Sequence, residues 1–502
     1  MSAAVTPGRR DDTLAISLVS HTNIGKTTLA RTLLGRDVGR VADAPHVTEF
    51  ADAHALVETP QHERLTLWDT PGFGDSVRLA RRMRQSGNPL GWFLSEVWDR
   101  WRDRAFWASQ QALRNVRDEA DVVLYLVSAA ESPEAAGYVA PEMELLAWTG
   151  LPVIVLLNQL GPPGDPAQEA ADVERWRTRL AGQAPVRAVL PLDAFTRCWV
   201  QELTLLQAIE AALPAPRQPL MARLRATWLA GRQAVFAAAM RTLASGLAQV
   251  AADREPLQEA DSLRATLRQV GSALGWRRDG ADSPQTRAQQ ALAARLDSTV
   301  RSGTAELLHL HGLDGQAAPE DILAQVGAAF EHRSRVAAGP AAVLGGMVSG
   351  ALTGLGADLA TGGLTLGGGL ITGGLLGALG AAGLAHGINR VRGQDGSWAG
   401  WQPAALDTMV ETALLRYLAV AHFGRGRGEW TRTEAPAHWR AQVAACLQPR
   451  HEALAAVWTR RDDPATTAAA LQPLLAATAA EVLGRLYPDA AAALSPDPSP
   501  ST

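Results

Sequence analysis

The sequence contains little cysteine and no large excess of charge. Cys198 and Cys446 are its two cysteines; they lie far apart without metal-ligand spacing, so neither a disulfide framework nor a zinc site is expected. The formal net charge of −4 and the pI near 6.3 do not indicate a dominant nucleic-acid-binding surface. Residues 1–12 are polar, so no signal peptide is expected.

A length of 502 residues predicts two or three folding units. Near the N-terminus, short apolar runs such as Val122–Val127 and Val153–Leu157 alternate with helix-length segments. This pattern predicts an α/β domain with a mostly parallel sheet and flanking helices. The rest of the chain predicts a mainly α-helical region that contains a Gly-rich apolar hairpin.

These changes of pattern place the domain boundaries. The predicted segments are an N-terminal tail (1–12), the α/β domain with an enlarged second switch region (13–215), a helical region (216–335), the Gly-rich apolar hairpin (336–389), a second helical region (390–487) and a disordered tail (488–502).

A phosphate-binding loop follows the first predicted strand. Residues 20–27 read Ser-His-Thr-Asn-Ile-Gly-Lys-Thr, which matches G-x-x-x-x-G-K-[ST] except that Ser20 replaces the first glycine. Backbone N–H groups of this loop and of the next helix can cradle phosphates. Lys26 is expected to neutralise the β- and γ-phosphates and Thr27 to ligate Mg²⁺. The predicted nucleotide-binding residues here are Ser20, Asn23, Ile24, Gly25, Lys26, Thr27 and Thr28.

A second motif, Asp69-Thr-Pro-Gly72, ends a predicted strand. Asp69 lies where a carboxylate is needed at the Mg²⁺ site, and Gly72 where a backbone N–H can contact the γ-phosphate. Thr48 is the threonine chosen to close over Mg²⁺ in the intervening loop, with Thr59 as the alternative. The predicted metal ligands are therefore Thr27, Thr48 and Asp69, and the predicted catalytic residues are Lys26, Thr48 and Gly72.

Together these motifs resemble the translation-factor-related P-loop GTPases, in particular the Era/TrmE-like branch, over roughly the first two-fifths of the chain. The resemblance implies Mg²⁺, GTP and GDP as ligands. It also implies an activating K⁺ ion near Asn23. Phe73 stands where Ras-like enzymes have a catalytic glutamine, which implies slow hydrolysis stimulated by a partner or by a homodimer of the GTPase domain.

The guanine-recognition motif departs from that branch. Asn158 and Gln159 are the predicted base-binding residues, but Gln159 replaces the family's lysine and Gly161 its aspartate. This change is expected to weaken discrimination against adenine. Asp165 is a nearby candidate for the missing carboxylate. The segment Leu192-Asp193-Ala194-Phe195 stands in place of the last motif of the family, which is usually a Ser-Ala dipeptide on a loop. The overall pattern, including Ser20-His-Thr-Asn23 in the phosphate loop and Leu192-Asp-Ala-Phe-Thr-Arg-Cys-Trp199, also resembles uncharacterised proteobacterial GTPases that have a long C-terminal domain of unknown function.

Two segments are candidates for binding a partner or a membrane. The Trp-rich stretch 91–107 either docks a partner or bilayer, moving with the switch, or packs its aromatic face on the protein. Segment 336–389 has one carboxylate, Asp358, between two apolar runs long enough to span a membrane. Arginines flank it at both ends, which is consistent with a hairpin inserted from the cytoplasmic side. The alternative is a soluble Gly/Ala hairpin buried in a core or an oligomer interface.

The predicted function is a slow, Mg²⁺-dependent GTPase switch in the bacterial cytoplasm, associated with the inner membrane through 336–389 and acting on an unidentified effector protein. Two alternatives remain open. One is a nucleotide-binding scaffold with little turnover, and the other is a soluble assembly GTPase that oligomerises through the Gly-rich hairpin.

Overall fold

The computed structural model describes residues 11–35, 38, 51–85, 88–95, 104–160, 166–194, 198–257, 284–313, 388–393, 396–423 and 437–490. The chain divides into two compact units, Met1–Ala234 with Ala421–Glu429, and Val235–Val420 with Trp430–Thr502. The predicted hairpin lies outside the described residues, except for the strand residues 388 and 389.

The first unit is built on a six-stranded sheet in the order β2-β3-β1-β4-β5-β6. Its strands are β1 (Thr13–Ser20), β2 (Asp52–Glu58), β3 (Arg64–Asp69), β4 (Val122–Ser128), β5 (Val153–Asn158) and β6 (Val186–Pro191). The edge strand β2 pairs antiparallel with β3, and every other pair is parallel. Both β4 and β5 are buried along their whole length, because helices cover both faces of a parallel sheet.

Helices connect and cover these strands. They are α1 (Lys26–Leu34), α2 (Ser76–Met83), α3 (Pro89–Ser95), α4 (Arg104–Glu119), α5 (Val139–Ala147), α6 (Pro166–Leu180), α7 (Trp199–Ala212) and α8 (Gln218–Ala252), the last of which continues into the second unit. The predicted α/β class is confirmed. The parallel order brings the carboxyl ends of β1, β3, β4 and β5 to one edge of the sheet, where ligands of such folds bind.

The second unit is mainly helical, as the sequence predicted. After α8 its elements are β7 (Arg254–Leu257), α9 (Pro284–Leu310), β8 (Ile388–Gly393), β9 (Gly396–Trp401), α10 (Pro403–Ala421), α11 (Ala437–Leu447), α12 (His451–Trp458) and α13 (Pro464–Leu486), with short 3₁₀ turns at Gln448–Arg450 and Pro488–Ala490. Helix α9 packs on β7 and β9, and α11 and α12 pack on α13.

A three-stranded antiparallel sheet, β7-β9-β8, is the feature of this unit that hydrophobic periodicity did not predict. The regions 216–335 and 390–487 were predicted as helical throughout, and this sheet corrects that prediction. Its strands are four to six residues long, and β8 carries polar residues rather than an apolar alternation. Pairing between distant segments therefore decides their conformation.

Two of the described helices are long and apolar enough to cross a membrane, namely Gln218–Ala252 and Pro464–Leu486. Each is partly buried inside the protein. Core helices of globular proteins have the same length and composition, so these two helices do not by themselves indicate a membrane span.

Candidate functional site

The loop between β1 and α1 has the backbone shape that its sequence predicts. Asn23 and Gly25 have positive φ angles of 65° and 92°, the left-handed region in which glycine carries no steric cost. A Cβ on Gly25 would lie 2.9 Å from Nδ2 of Asn158. Glycine is therefore required at position 25 by both conformation and space.

The N-terminus of α1 is open toward this loop. Helix α1 begins at Lys26, and no side chain accepts a hydrogen bond at its N-cap, Gly25. Ile24 and Thr28 are buried, so they anchor the loop and the first helical turn. The first backbone N–H groups of a helix lack intrahelical partners and carry a partial positive charge, which makes this helix end suitable for a phosphate.

Lys26 is the only lysine in the chain. Its side chain is buried, and Nζ donates to Oγ of Ser20 at 3.0 Å. The serine that replaces the usual first glycine therefore fixes the position of the lysine ammonium group through a hydrogen bond. Burial lowers the pKa of the Lys26 ammonium, while the charges of Asp69 and Glu142 oppose this shift.

The residues predicted to hold Mg²⁺ in the first and second motifs lie together. The Thr27 hydroxyl donates to Oδ2 of Asp69 at 2.6 Å. The second carboxylate oxygen, Oδ1, is buried without a hydrogen-bond partner. Burial raises the pKa of Asp69, whereas the bond from Thr27 and the charge of Lys26 oppose the rise. An unsatisfied hard oxygen beside a hydroxyl fits Mg²⁺, which when bound would neutralise charge on the β- and γ-phosphates.

Gly72 lies beside Lys26. A Cβ at position 72 would be 3.0 Å from Lys26 Nζ and 3.1 Å from Cα of Thr22, so the backbone of the second motif closely approaches the phosphate loop. Phe73 is wholly buried, and its N–H donates to the Ser20 carbonyl at 2.8 Å. The phenylalanine at the glutamine position is therefore a core residue that joins the two loops.

Of the two candidate threonines for closing over Mg²⁺, the structure describes Thr59 but not Thr48. Thr48 lies outside the described residues, so its assignment remains a prediction. Thr59 follows β2, and its hydroxyl accepts from the backbone N–H of Glu63 at 3.2 Å. Asp52 pairs with Asp69 at the other end of β2. Thr59 is therefore a turn residue about a strand length away from the Mg²⁺ site, which excludes it as a ligand.

Asn158 is the last residue of β5, the strand that leads into the predicted base-recognition motif, and it joins this strand to two loops. Its Nδ2 donates to the Ile24 carbonyl at 2.7 Å, and its Oδ1 accepts from the Ala194 N–H at 2.9 Å. This residue is completely buried. Asn158 therefore braces the phosphate loop against the segment after β6.

Gln159 and Asp193 shape the rest of the base-recognition loop. Gln159 has a φ of 59°, and its Oε1 accepts from the Ser128 hydroxyl at 2.7 Å. Asp193 is buried and accepts from the Leu160 N–H at 2.6 Å. The sequence placed Asp193 in the last recognition segment without predicting this contact. Gly161, Asp165 and Phe195 lie outside the described residues.

One buried carboxylate next to the phosphate loop was missed by the sequence analysis. Glu142 on α5 is completely buried, accepts from the Tyr125 hydroxyl at 2.6 Å and lies 2.7 Å from Nδ1 of His21. The His21 ring stacks on Tyr138 at 4.5 Å. Because His21 and Glu142 are 121 positions apart, no local pattern connects them.

The described part of the Trp-rich segment packs on the core. Phe93 and Phe106 are buried, and Trp92 packs against the same apolar cluster. A Cβ on Gly74 would lie 2.4 Å from Cβ of Ala105, so α4 contacts the second switch motif directly. These contacts favour the packing interpretation for α3 and α4. Trp98 and Trp101 lie outside the described residues.

Comparison with known proteins agrees with the site geometry. The family described as 50S ribosome-binding GTPase matches residues 15–159. This range contains the phosphate loop, the Asp69 motif and the base-recognition strand. Together with the sheet order, the match identifies a P-loop GTPase domain over these residues.

Solved structures with similarity to the chain include three GTP-binding proteins. Era bound to Mg²⁺, GDPNP and a segment of 16S ribosomal RNA is 17% identical, with a TM-score of 0.31 over 40% of this chain and 57% of that chain. An Aquifex aeolicus Era variant bound to GDP and aluminium fluoride is 18% identical, with a TM-score of 0.28 and the same coverages. A probable GTP-binding protein, engB, is 16% identical, with a TM-score of 0.23 over 36% of this chain and 88% of that one.

The chain thus spans just over half the length of the two Era chains. No curated protein matches it. A second family model, described as a domain of unknown function, matches residues 178–470, which is more than half of the chain. The chain therefore belongs to the DUF3482 family, and the matched segment follows the GTPase match at residues 15–159.

Proposed function

We propose that this protein is a guanine-nucleotide switch that hydrolyses GTP to GDP and phosphate with Mg²⁺. The observation that carries the proposal is the convergence of Lys26, Thr27, Asp69 and Gly72 at one edge of the sheet. Lys26 and the open end of α1 would hold the phosphates, Thr27 and Asp69 would hold the metal, and the Gly72 N–H would contact the γ-phosphate.

The residues after Asp69 support the proposal of slow intrinsic turnover. Phe73 is buried, and the Thr70 hydroxyl donates to the Leu18 carbonyl, so neither side chain can orient an attacking water. The missing group would come from an effector or from a second copy docked on the GTPase domain. A K⁺ ion held near Asn23 would provide further positive charge.

A preference for guanine is supported by the base-recognition strand, although the motif's aspartate is missing. Asn158 and Asp193 hold the segments on both sides of the strand end. Equilibrium binding of GTP, GDP, ATP and ADP to the purified full chain tests this preference. Equal affinity for adenine and guanine nucleotides would overturn it.

The single lysine permits a direct test of the phosphate site. An amine-selective acylating reagent has two targets in the chain, the N-terminal amine and Lys26. We expect GTP with Mg²⁺ to protect Lys26 while N-terminal labelling continues, because the nucleotide phosphates would cover Nζ. Mass spectrometry of the labelled peptides reports both sites. Unchanged Lys26 labelling at saturating nucleotide would contradict the assignment.

Turnover distinguishes the switch from the scaffold alternative. Phosphate release from GTP, measured with K⁺ and with Na⁺, is expected to be slow, higher in K⁺, and abolished by Lys26→Ala. Tight GTP binding with negligible release in both salts would instead indicate a nucleotide-binding scaffold.

Association with the inner membrane is part of the proposal through segment 336–389. Its support is the sequence: two apolar runs of spanning length, close Gly spacing and flanking arginines. We expect the expressed protein to sediment with membranes and to resist carbonate extraction. Release by carbonate, together with self-association in solution, would favour a soluble assembly GTPase that uses the same hairpin.

A further inference from the structure

The second unit contains a cleft between three helices. Helices α8, α9 and α10 line it, and it encloses about 530 Å³, including space open to solvent. Most of its wall is apolar, with Leu247, Val250, Leu296 and Met409 among the lining residues.

The cleft also contains a buried positive charge. Arg416 on α10 is only 7% exposed. Its Nη1 donates to the Val300 carbonyl at 3.2 Å, and its Nε is buried without a hydrogen-bond partner. A guanidinium has five N–H donors, and buried arginines are normally paired with an anion. Arg416 is therefore far from satisfied.

The neighbouring carboxylates on the same helices are directed to other arginines. Asp297 accepts from Arg301 at 2.8 Å, and Glu411 accepts from Arg440 at 2.8 Å. Burial alone lowers the pKa of Arg416, to about 10, and no charge within the described residues opposes that shift. The guanidinium still carries its charge at neutral pH, without a counter-ion from these helices.

Small side chains leave space in front of the guanidinium. A Cβ on Gly303 of α9 would lie 3.8 Å from Nη2 of Arg416, so a longer side chain there would occupy that space. The hydroxyls of Thr299 and Thr412 donate to backbone carbonyls of their own helices, at 2.9 and 2.7 Å. Arg416 is therefore the charged donor that the cleft offers to a ligand.

We propose that this cleft binds an amphipathic anion, with a carboxylate or phosphate at Arg416 and an apolar body among the leucine, valine and methionine side chains. An anion would supply the missing hydrogen bonds and the missing counter-charge together. The apolar wall would bury the rest of the ligand. This site is separate from nucleotide binding, and its test does not depend on GTP hydrolysis.

Thermal unfolding of the full chain tests the proposal with four probes: octanoate, octyl phosphate, 1-octanol and inorganic phosphate. A ligand that binds the folded state raises the unfolding midpoint. We expect one or both amphipathic anions to raise it in a saturable manner, and comparison of the two identifies the preferred head group. The neutral alcohol and inorganic phosphate should each have much smaller effects. An equal shift with 1-octanol would overturn the role of Arg416.

Arg416→Met tests the charge directly. Methionine retains an unbranched apolar side chain, and replacing an unpaired buried charge with an apolar group is expected to preserve folding. The affinity for the anionic probe should fall at least about tenfold, because charged hydrogen bonds are lost. Arg301→Met is the matched control: it removes a partly exposed arginine of α9 that is paired with Asp297, and it should keep the anion-dependent shift.

Gly303→Val provides a second, independent variant that leaves Arg416 in place. The valine side chain would fill the space before Nη2 and should also abolish the anion-dependent shift. Persistence of that shift in both Arg416→Met and Gly303→Val, or its absence with both anions in the wild-type chain, would overturn the proposal.

Discussion

At the scale of single residues, the nucleotide site depends on very short separations. Gly72 is the clearest example, because any Cβ there would approach both Lys26 and the backbone of Thr22 within about 3 Å. Only glycine fits at this position without displacing a neighbouring atom. The atoms that a Cβ would displace lie next to the groups that would contact the γ-phosphate. A substitution at position 72 is therefore expected to change turnover.

We expect Gly72→Ala to reduce GTP turnover by about tenfold or more while GDP binding is largely retained. The added methyl group would displace Lys26 Nζ or the backbone N–H at position 72. Single-turnover phosphate release and GDP affinity measure the two effects. Gly137→Ala is the control, since a Cβ at Gly137 meets nothing within 4 Å. Normal turnover in Gly72→Ala would contradict this role.

Asn158 provides a second prediction at this scale. Asn158→Ala would leave the Ile24 carbonyl and the Ala194 N–H without their buried partner. We expect the free energy of unfolding to fall by about 1–3 kcal/mol for each unpaired group, and GDP affinity to fall as well.

Asn115→Ala is the matched control for that substitution. Asn115 is also buried, but its Oδ1 accepts from the Ser17 hydroxyl in the middle of β1. Urea unfolding should show destabilisation in both variants, whereas isothermal titration with GDP should show weaker binding in Asn158→Ala alone. Equal GDP affinities would indicate that Asn158 has a purely structural role.

At the scale of elements, Glu142 connects three of them: α5, β4 and the phosphate loop. Tyr125 and His21 hydrogen-bond to its carboxyl group, and the charge of Glu142 opposes the lowering of the Lys26 pKa. Burial raises the pKa of Glu142, and the bonds from His21 and Tyr125 oppose the rise. The folded state therefore binds the proton more tightly than the unfolded chain does.

A stability difference that depends on pH follows from this shift. The contribution of protonated Glu142 is fully present below its unfolded pKa near 4.5 and is lost as pH rises through the higher folded pKa. Glu142→Gln keeps a neutral group of the same shape. We expect its stability relative to wild type to increase as pH rises above about 4.5 and through the higher folded pKa of Glu142. Urea unfolding across this range measures the trend, and a constant difference would contradict it.

At the scale of the whole molecule, each unit has its own core and its own candidate ligand site. The nucleotide residues belong to the first unit, and the Arg416 cleft belongs to the second. Ligand binding stabilises the folded region whose unfolding would release the ligand. Each ligand is therefore expected to act on the unit that contains its site.

Hydrogen exchange of the full chain tests that expectation. GDP with Mg²⁺ should slow exchange in β1, α1 and β3, and an anion that binds the cleft should slow exchange in α9 and α10. Slower exchange of both sets with either ligand would show instead that the two units open as one cooperative body.

Local sequence predicted those parts of the molecule whose conformation depends on residues adjacent in the chain. The phosphate loop and the start of α1 are one continuous segment, so Gly25, Lys26 and Thr27 could be located from residue order alone. The buried strands β4 and β5 were recognisable because their apolar runs are uninterrupted. The Asp69 motif was likewise located by its position after a strand.

Tertiary structure decided the contacts between distant segments. The pairing of His21 with Glu142, the bonds of Asn158 to two loops, and the β7-β9-β8 sheet all join residues far apart in the chain. Such contacts follow from packing, and no local pattern encodes them.

The sequence predicted the phosphate site but not the Arg416 cleft. These two sites show the same difference between local sequence and tertiary contacts. Sequence alone determined that the chain carries a Lys26 and Asp69 nucleotide motif, because each part is a short run whose backbone geometry follows from its own residues. Only the tertiary structure showed that Arg416, one arginine among many, is buried beside a cleft whose described lining residues include no carboxylate. Its charge is unusual because three helices surround it with mostly apolar side chains. Burial of this kind depends on the fold, so the local sequence does not reveal it.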